Sequence, residues 1–168
     1  MEMSVAEFIK KYKFEPAGKI HRITKDEIKH KPSNQHHCYE QQSLQFCLNE
    51  TWQADKGSGL VYLWVKISGK KIAEICYVGQ ANRSTLLKRC KQHEQGFRGI
   101  ECHGSVTGVR NRRSILEYLN ADPTHAIHVH VRKSKTQTIF SQSVSMCGIE
   151  EAAAIKQCLA MDQGLWNK

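Results

Sequence analysis

Residues 60–79 read LVYLWVKISGKKIAEICYVG. Val61, Leu63, Val65 and Ile67 alternate with Tyr62, Trp64 and Lys66, the period of two that marks a strand with unlike faces. On this reading Tyr62 lies on the more polar face. Ser68-Gly69-Lys70-Lys71 is a hairpin turn, and Ile72 to Gly79 returns as a second strand. A β-hairpin therefore organises the middle of the chain.

Beyond it, Ser84 or Thr85 opens a helix running to about Gln95, with Leu86, Leu87 and Cys90 as its apolar stripe. Residues 96–108, GFRGIECHGSVTG, read as a Gly-rich loop. NRRSILEYLNADP (111–123) is a helix stopped by Pro123, and HAIHVHVR (125–132) is a third strand. That strand puts Ile127, Val129 and Val131 on one side and His128, His130 and Arg132 on the other. GIEEAAAIKQCLAM (148–161) is a helix. The order predicts an α+β domain over 59–168, with a small, mostly antiparallel three-stranded sheet flanked by helices.

Residues 1–58 read as an N-terminal extension of helices and loops. Ser4 with Glu7, and Thr24 with Glu27, have capping-box spacing; Pro16 with Gly18, and then Pro32, break these helices. Leu44 to Leu48 reads as weakly helical.

The net charge of +9 and pI near 9.3 favour a polyanionic partner, nucleic acid (DNA ahead of RNA) first and an anionic membrane second. The excess is local. Residues 1–58 hold nine Lys/Arg against eight Asp/Glu, and residues 59–168 hold sixteen against eight. No apolar run reaches the roughly 18–20 residues of a membrane span, and the acidic N-terminus is no secretory signal. The seven cysteines fall in no paired pattern, and three lie in apolar or helical segments, which suits buried free thiols in a reducing compartment, with the cytoplasm as the default. The HHC at 36–38 with Cys47, and Cys102-His103, lack the paired spacing of a zinc site. His128 and His130 lack a third ligand.

GLVYLW (59–64), then CYVGQA (76–81), then a helix with LLKRCKQH (86–93), resembles the signature of the GIY-YIG endonuclease superfamily. The first motif carries one extra residue between Gly59 and Tyr62. EAAAIKQ (151–157) is similar to that family's glutamate helix, and LWN (165–167) to its closing asparagine. The resemblance implies a divalent-metal-dependent nuclease with Tyr62, Tyr77, Arg89, His93, Glu151 and Asn167 in the active site. Glu151 would hold one Mg2+ or Mn2+. Tyr62 would act as general base, and Tyr77 would orient the water or phosphate. Asn167 would bind a phosphate or brace the site.

The residue types suit that chemistry. Arg89 offers a planar fork of donors to phosphate oxygens, and Arg89 and His93 are i and i+4 on one helix face. A single carboxylate can hold a hydrated divalent cation. Taken singly, each residue has an ordinary reading. Tyrosines pack in sheets, basic helix faces are solvated, and a glutamate suits the first turn of a helix, where Glu150 is as well placed as Glu151. Asn167 would then belong to a frayed terminus.

Further cations fit a nucleic-acid backbone: Lys66, Arg83, Lys88, Lys91 and Arg98. Arg110, Arg112 and Arg113 in GVRNRRS read as a phosphate clamp at a helix start. His128, His130 and Arg132 would line the substrate groove if their face is that of Tyr62. A homodimer fits an enzyme that cuts both strands. The rival expectations are a non-catalytic nucleic-acid-binding module on the same fold and a small structural or interaction protein whose basic face meets an acidic partner. Restriction, repair, mobile-element, phage-defence and toxin roles stay open.

Overall fold

Leu60 to Val65 is buried at every position, none more than 1% exposed. The strand β3 (Leu60–Ser68) therefore has no solvent face along this stretch. The computed structural model describes residues 3–30, 34 and 36–167. In it β3 lies between β4 (Lys71–Ala81) and β5 (His125–Lys133). Beyond β5 come β1 (Glu15–Arg22) and, at the far edge, β2 (Leu44–Leu48), giving the order β2-β1-β5-β3-β4, antiparallel throughout. A separate two-stranded sheet pairs β6 (Thr136–Ile139) with β7 (Gln142–Ser145).

The expected three-stranded sheet is thus replaced by one of five strands, and the N-terminal segment is not only helices and loops. In β2 the buried residues are Leu44, Phe46 and Leu48, a period of two that packs a strand. In β1, Pro16 and Gly18 flank a register shift rather than stopping the chain. Gly18 is needed there because an added β-carbon would collide with the Cys47 carbonyl oxygen.

Helices cover both faces. The α1 helix (Val5–Lys11) and α7 (Cys147–Ala160) share a core with Val61, Leu63 and Val65. The α5 helix (Leu86–Gly96) and α6 (Val106–Ala121) share the other core with Tyr62, Trp64, Ile127 and Val129. Short helices α2 (Lys25–Lys29), α3 (His36–Gln42) and α4 (Glu50–Ala54) complete the chain. The capping boxes at Ser4 and Thr24 both form. Pro32 lies outside the described residues.

The register corrects two expectations. Tyr62 is on no polar face: it is 1% exposed, with Trp64 fully buried beside it. Tyr62 pairs with Val131, whereas Leu63 pairs with His130 and Val61 with Arg132. Cross-strand partners share a face, so His128, His130 and Arg132 lie on the side of the sheet away from Tyr62 and cannot line its groove.

The free edge of β4 is closed by the C-terminal segment. Trp166 N–H donates to the Cys76 carbonyl (2.8 Å), and Ile75 N–H to the Gln163 side chain (2.8 Å). Such cover removes an edge that would otherwise pair with another chain. Cys38 of α3 and Cys102 form a disulfide spanning 64 residues, a pairing that the scattered cysteine spacing did not show. Cys47, Cys76, Cys90, Cys147 and Cys158 are free. Among the described residues no helix is long and apolar enough to cross a membrane.

His130 is 6% exposed, its Nδ1 has no partner, and burial, with His128 adding to it, pushes its pKa from 6.5 down to about 4. The folded state thus keeps His130 neutral where the unfolded chain would protonate it. This contribution is complete above pH 6.5 and is lost as pH falls toward 4. Between pH 6.5 and 5 it amounts to about 2 kcal/mol. Urea denaturation at several pH values should show a shallower acid loss for His130→Leu than for the native chain. Equal slopes would contradict it.

Candidate active site

Tyr62 on β3 and Tyr77 on β4 project to the same side of the sheet, with ring centroids 6.1 Å apart and nearly parallel. Trp64 stacks on Tyr77 at 4.0 Å. Gly79 makes this possible. Paired with Tyr62 across the hairpin, it would, with a β-carbon, come within 2.5 Å of the Tyr62 Cζ and hydroxyl and 2.7 Å of Tyr77. The missing side chain lets the Tyr62 ring lie over β4.

From there the Tyr62 hydroxyl reaches α5. It lies 2.6 Å from His93 Nε2, and Arg89 Nε donates to it at 3.2 Å. Arg89 and His93 are one turn apart, so one helix face supplies both. Arg89 only donates, and burial holds His93 neutral; protonated on Nδ1, that imidazole can accept the Tyr62 proton at Nε2. The electrostatics agree. Burial first, and Arg89 second, push the His93 pKa down to about 3. Burial drives the Tyr62 phenol well above its ordinary pKa; Tyr77 adds to this, and Arg89 offsets only part of it. Burial also raises Tyr77, against the influence of Arg89 and hydrogen bonding to Tyr62. Nearby cations therefore do not lower the Tyr62 pKa, as a free phenolate base would require.

Helix α5 is aimed by β2. Phe46 stacks on Phe97 at 6.0 Å and lies 6.0 Å from His93, and its N–H donates to Glu94 of α5 (2.8 Å). Phe46 was not read as a site residue. The alternation Leu44, Phe46, Leu48 is the signal that places it.

Glu150 and Glu151, indistinguishable by charge in the sequence, separate in space. Glu150 is bound to Arg132 (3.2 Å) and accepts from the Lys135 N–H (3.0 Å), on the side away from Tyr62. Glu151 acts electrostatically on Tyr77 and Arg89. Its pKa is raised by burial, against a hydrogen bond from Gln80 and the charge of Arg89. Gln80 in turn accepts from the Cys147 thiol (3.2 Å). Gln80 carries no charge or pattern that marks it in the sequence, yet it joins β4 to α7.

Glu151 takes part in none of the described ion pairs, and it is a desolvated carboxylate. That fits a single protein ligand to a hydrated Mg2+ or Mn2+, which would relieve the cost of its buried charge. Among the described residues no group of three or more His, Cys, Asp or Glu side chains could hold a metal.

Asn167 donates to the Val78 carbonyl (2.5 Å) and accepts from the Val78 N–H (3.3 Å), so both ends of its amide brace β4 next to Gly79. It touches neither Tyr62 nor Arg89 in these bonds.

The outlying cations divide. Lys66 is 17% exposed, bonded to Glu74 (2.5 Å) and set over the Trp166 and Tyr118 rings. Arg132 is taken by Glu150 and the Tyr12 carbonyl. Arg98 bonds Gln42 and stacks on Tyr39. None of these three stands free for a phosphate. Arg83, Lys88, Lys91 and Arg113 are exposed, as is Arg110, which also donates to the Trp166 carbonyl. Helix α6 begins at Val106 behind the Ser105 cap, so Arg110, Arg112 and Arg113 lie past its first turn. The clamp of amides and arginines expected there is not formed, because the amides at those positions belong to the helix ladder.

No family model, no curated protein and no solved structure matches the chain.

Gly79→Ala should cost about 2–3 kcal/mol in urea denaturation, since the added carbon meets two packed rings in the core. Gly148→Ala is the control, because its β-carbon meets only the Gln80 amide, 3.6 Å away. It should stay within about 0.5 kcal/mol of the native chain. Equal effects would contradict the role given to Gly79.

Proposed function

We propose that the chain is a divalent-metal-dependent endonuclease of the GIY-YIG type that hydrolyses phosphodiester bonds in DNA. One observation carries the reading. Tyr62, Tyr77, Arg89 and His93, from β3, β4 and α5, meet in one cluster, and Glu151 of α7 faces its edge. These are five of the six residues that the sequence resemblance names, drawn from four elements. The five-stranded sheet departs from the three strands expected.

In the proposed reaction, water attacks phosphorus in line with the leaving oxygen. A P–O bond forms on one side as the other breaks. Arg89 donates to the non-bridging oxygens, where charge builds up. The water proton passes to the Tyr62 oxygen as Tyr62 hands its own proton to His93 Nε2. This exchange needs no free phenolate, which suits a phenol whose pKa burial has raised. The arriving phosphate also offsets the Arg89 charge that helps hold His93 neutral, making His93 a better acceptor. A Mg2+ or Mn2+ held by Glu151 would neutralise phosphate charge and acidify its bound water, which would supply the proton that the leaving oxygen takes up.

We assign the protein to the cytoplasm, on the buried free thiols Cys76, Cys90, Cys147 and Cys158. The Cys38–Cys102 bond is the exception to that pattern.

The second reading is a non-catalytic nucleic-acid-binding module. The observation favouring it is that Tyr62 is 1% exposed. Supercoiled plasmid with Mg2+, Mn2+ or EDTA separates the two. The nuclease needs metal, and Glu151→Gln and Arg89→Ala should lower its cleavage by about 10²–10³-fold while keeping binding. Tyr62→Phe should cost about 10²-fold. Glu150→Gln, which faces away, should cleave like the native chain. Salt-sensitive binding without cleavage under any metal would establish the module instead.

A further inference from the structure

The β6–β7 hairpin is joined by two residues, Phe140 and Ser141, with φ of 48° and 62°. Both central positions of such a turn need positive φ, which Asn-Gly supplies at little cost and a bulky residue resists. Phe140 is also 97% exposed. Backbone preference and the hydrophobic effect thus both disfavour phenylalanine at this tip. A strained, solvated aromatic at a protruding point is an outlier of the kind that marks a contact surface.

The surroundings identify the partner. From Pro123 to Ile149 the chain holds Arg132, Lys133 and Lys135 and no Asp or Glu. At the root of the hairpin, a cleft of about 670 Å³ is lined by Lys11, Lys13, Lys133 and Lys135, with Tyr12 beside them. Its carboxylates are Glu15 and Asp55, and Asp55 is held by Lys133 at 3.1 Å. Lys11, Lys13 and Lys135 are exposed. The root packs on the candidate active site's end of the sheet. Ser145 lies against Gly59, where an added β-carbon would come within 2.7 Å of its hydroxyl. The next residues lead through Cys147, bonded to Gln80, to Glu151. Four residues per strand carry the tip about 13 Å from that root.

We propose that the hairpin is a nucleic-acid wedge: Phe140 inserts between stacked bases of duplex DNA while the lysine cleft at its root takes the backbone phosphates. Apolar wedges of this kind unstack a base step and bend the duplex. The inference rests on the nucleic-acid reading above and adds how the DNA is held. A wedge would splay the duplex beside the phosphate to be cut, which a buried Tyr62 cluster needs if it is to reach one strand.

The test uses the full chain carrying Glu151→Gln, bound to nicked plasmid that is then ligated, with the topoisomers read on a gel. Insertion unwinds DNA, so the bound protein should shift the topoisomer distribution. Adding Phe140→Asn, which suits the turn, should abolish the shift and weaken duplex binding about 10-fold, with the melting midpoint unchanged or higher. Phe140→Trp should keep the shift. An undiminished shift with Phe140→Asn overturns the wedge. So does a dimer, seen by sedimentation, that Phe140→Asn alone dissolves, because the tip then serves contact between copies. Metal-dependent cleavage by the native chain with no topoisomer shift removes the wedge and leaves the nuclease. Absence of both cleavage and DNA binding removes both.

Discussion

The ring of Tyr62 occupies the space that any side chain at position 79 would need. That contact fixes much of what surrounds it. With the ring lying over β4, the hydroxyl points at α5 and meets His93 and Arg89 together. Trp64 and Tyr77 stack beside it and complete an aromatic floor. A β-carbon at 79 would push the hydroxyl off the helix and leave His93 Nε2 and Arg89 Nε without this partner, and partly buried groups are expensive to orphan.

The remaining elements hold that arrangement in place. On one side β2, at the far edge of the sheet, supports α5 through Phe46, Phe97 and the bond from Phe46 N–H to Glu94. On the other, the C-terminal segment clamps β4, with Asn167 gripping both polar groups of Val78. Helix α7 passes between two environments. Its N-terminal end gives Glu150 to Arg132 on one side and Glu151 to the Tyr77–Arg89 edge on the other. Segments far apart in sequence therefore act on a single hydroxyl.

The hairpin, the helix of Arg89 and His93, and α7 were legible because each depends on local periodicity, helped in α5 by the Thr85 cap. The five-stranded sheet was not. β2 is stabilised by pairing with β1, and β1 with β5, more than a hundred residues away from β1, and a short strand such as LQFCL is ambiguous until its partner is known. The polar face assigned to Tyr62 failed for a related reason. Alternation shows which residues share a side but not whether a second layer of helices covers it, and α5 and α6 do. Whether His128 and His130 share the face of Tyr62 was left open by the sequence, because it depends on a one-residue choice of register against β3. Charge alone left Glu150 and Glu151 equal; the resemblance at EAAAIKQ selected Glu151, and the position of Arg132, which no spacing reveals, shows where Glu150 is held.

The central claim is that Tyr62 gives its proton to a neutral, buried His93. Histidine-selective 15N NMR tests it directly, by following the His93 ring nitrogens from pH 8 to 3 in the native chain and in Tyr62→Phe. The account predicts an unprotonated, hydrogen-bonded Nε2 and a protonated Nδ1, with titration held down to about 3. It also predicts an Nε2 signal that moves when the Tyr62 hydroxyl is removed. A His93 that titrates near 6.5, or an Nε2 signal indifferent to Tyr62→Phe, would contradict it.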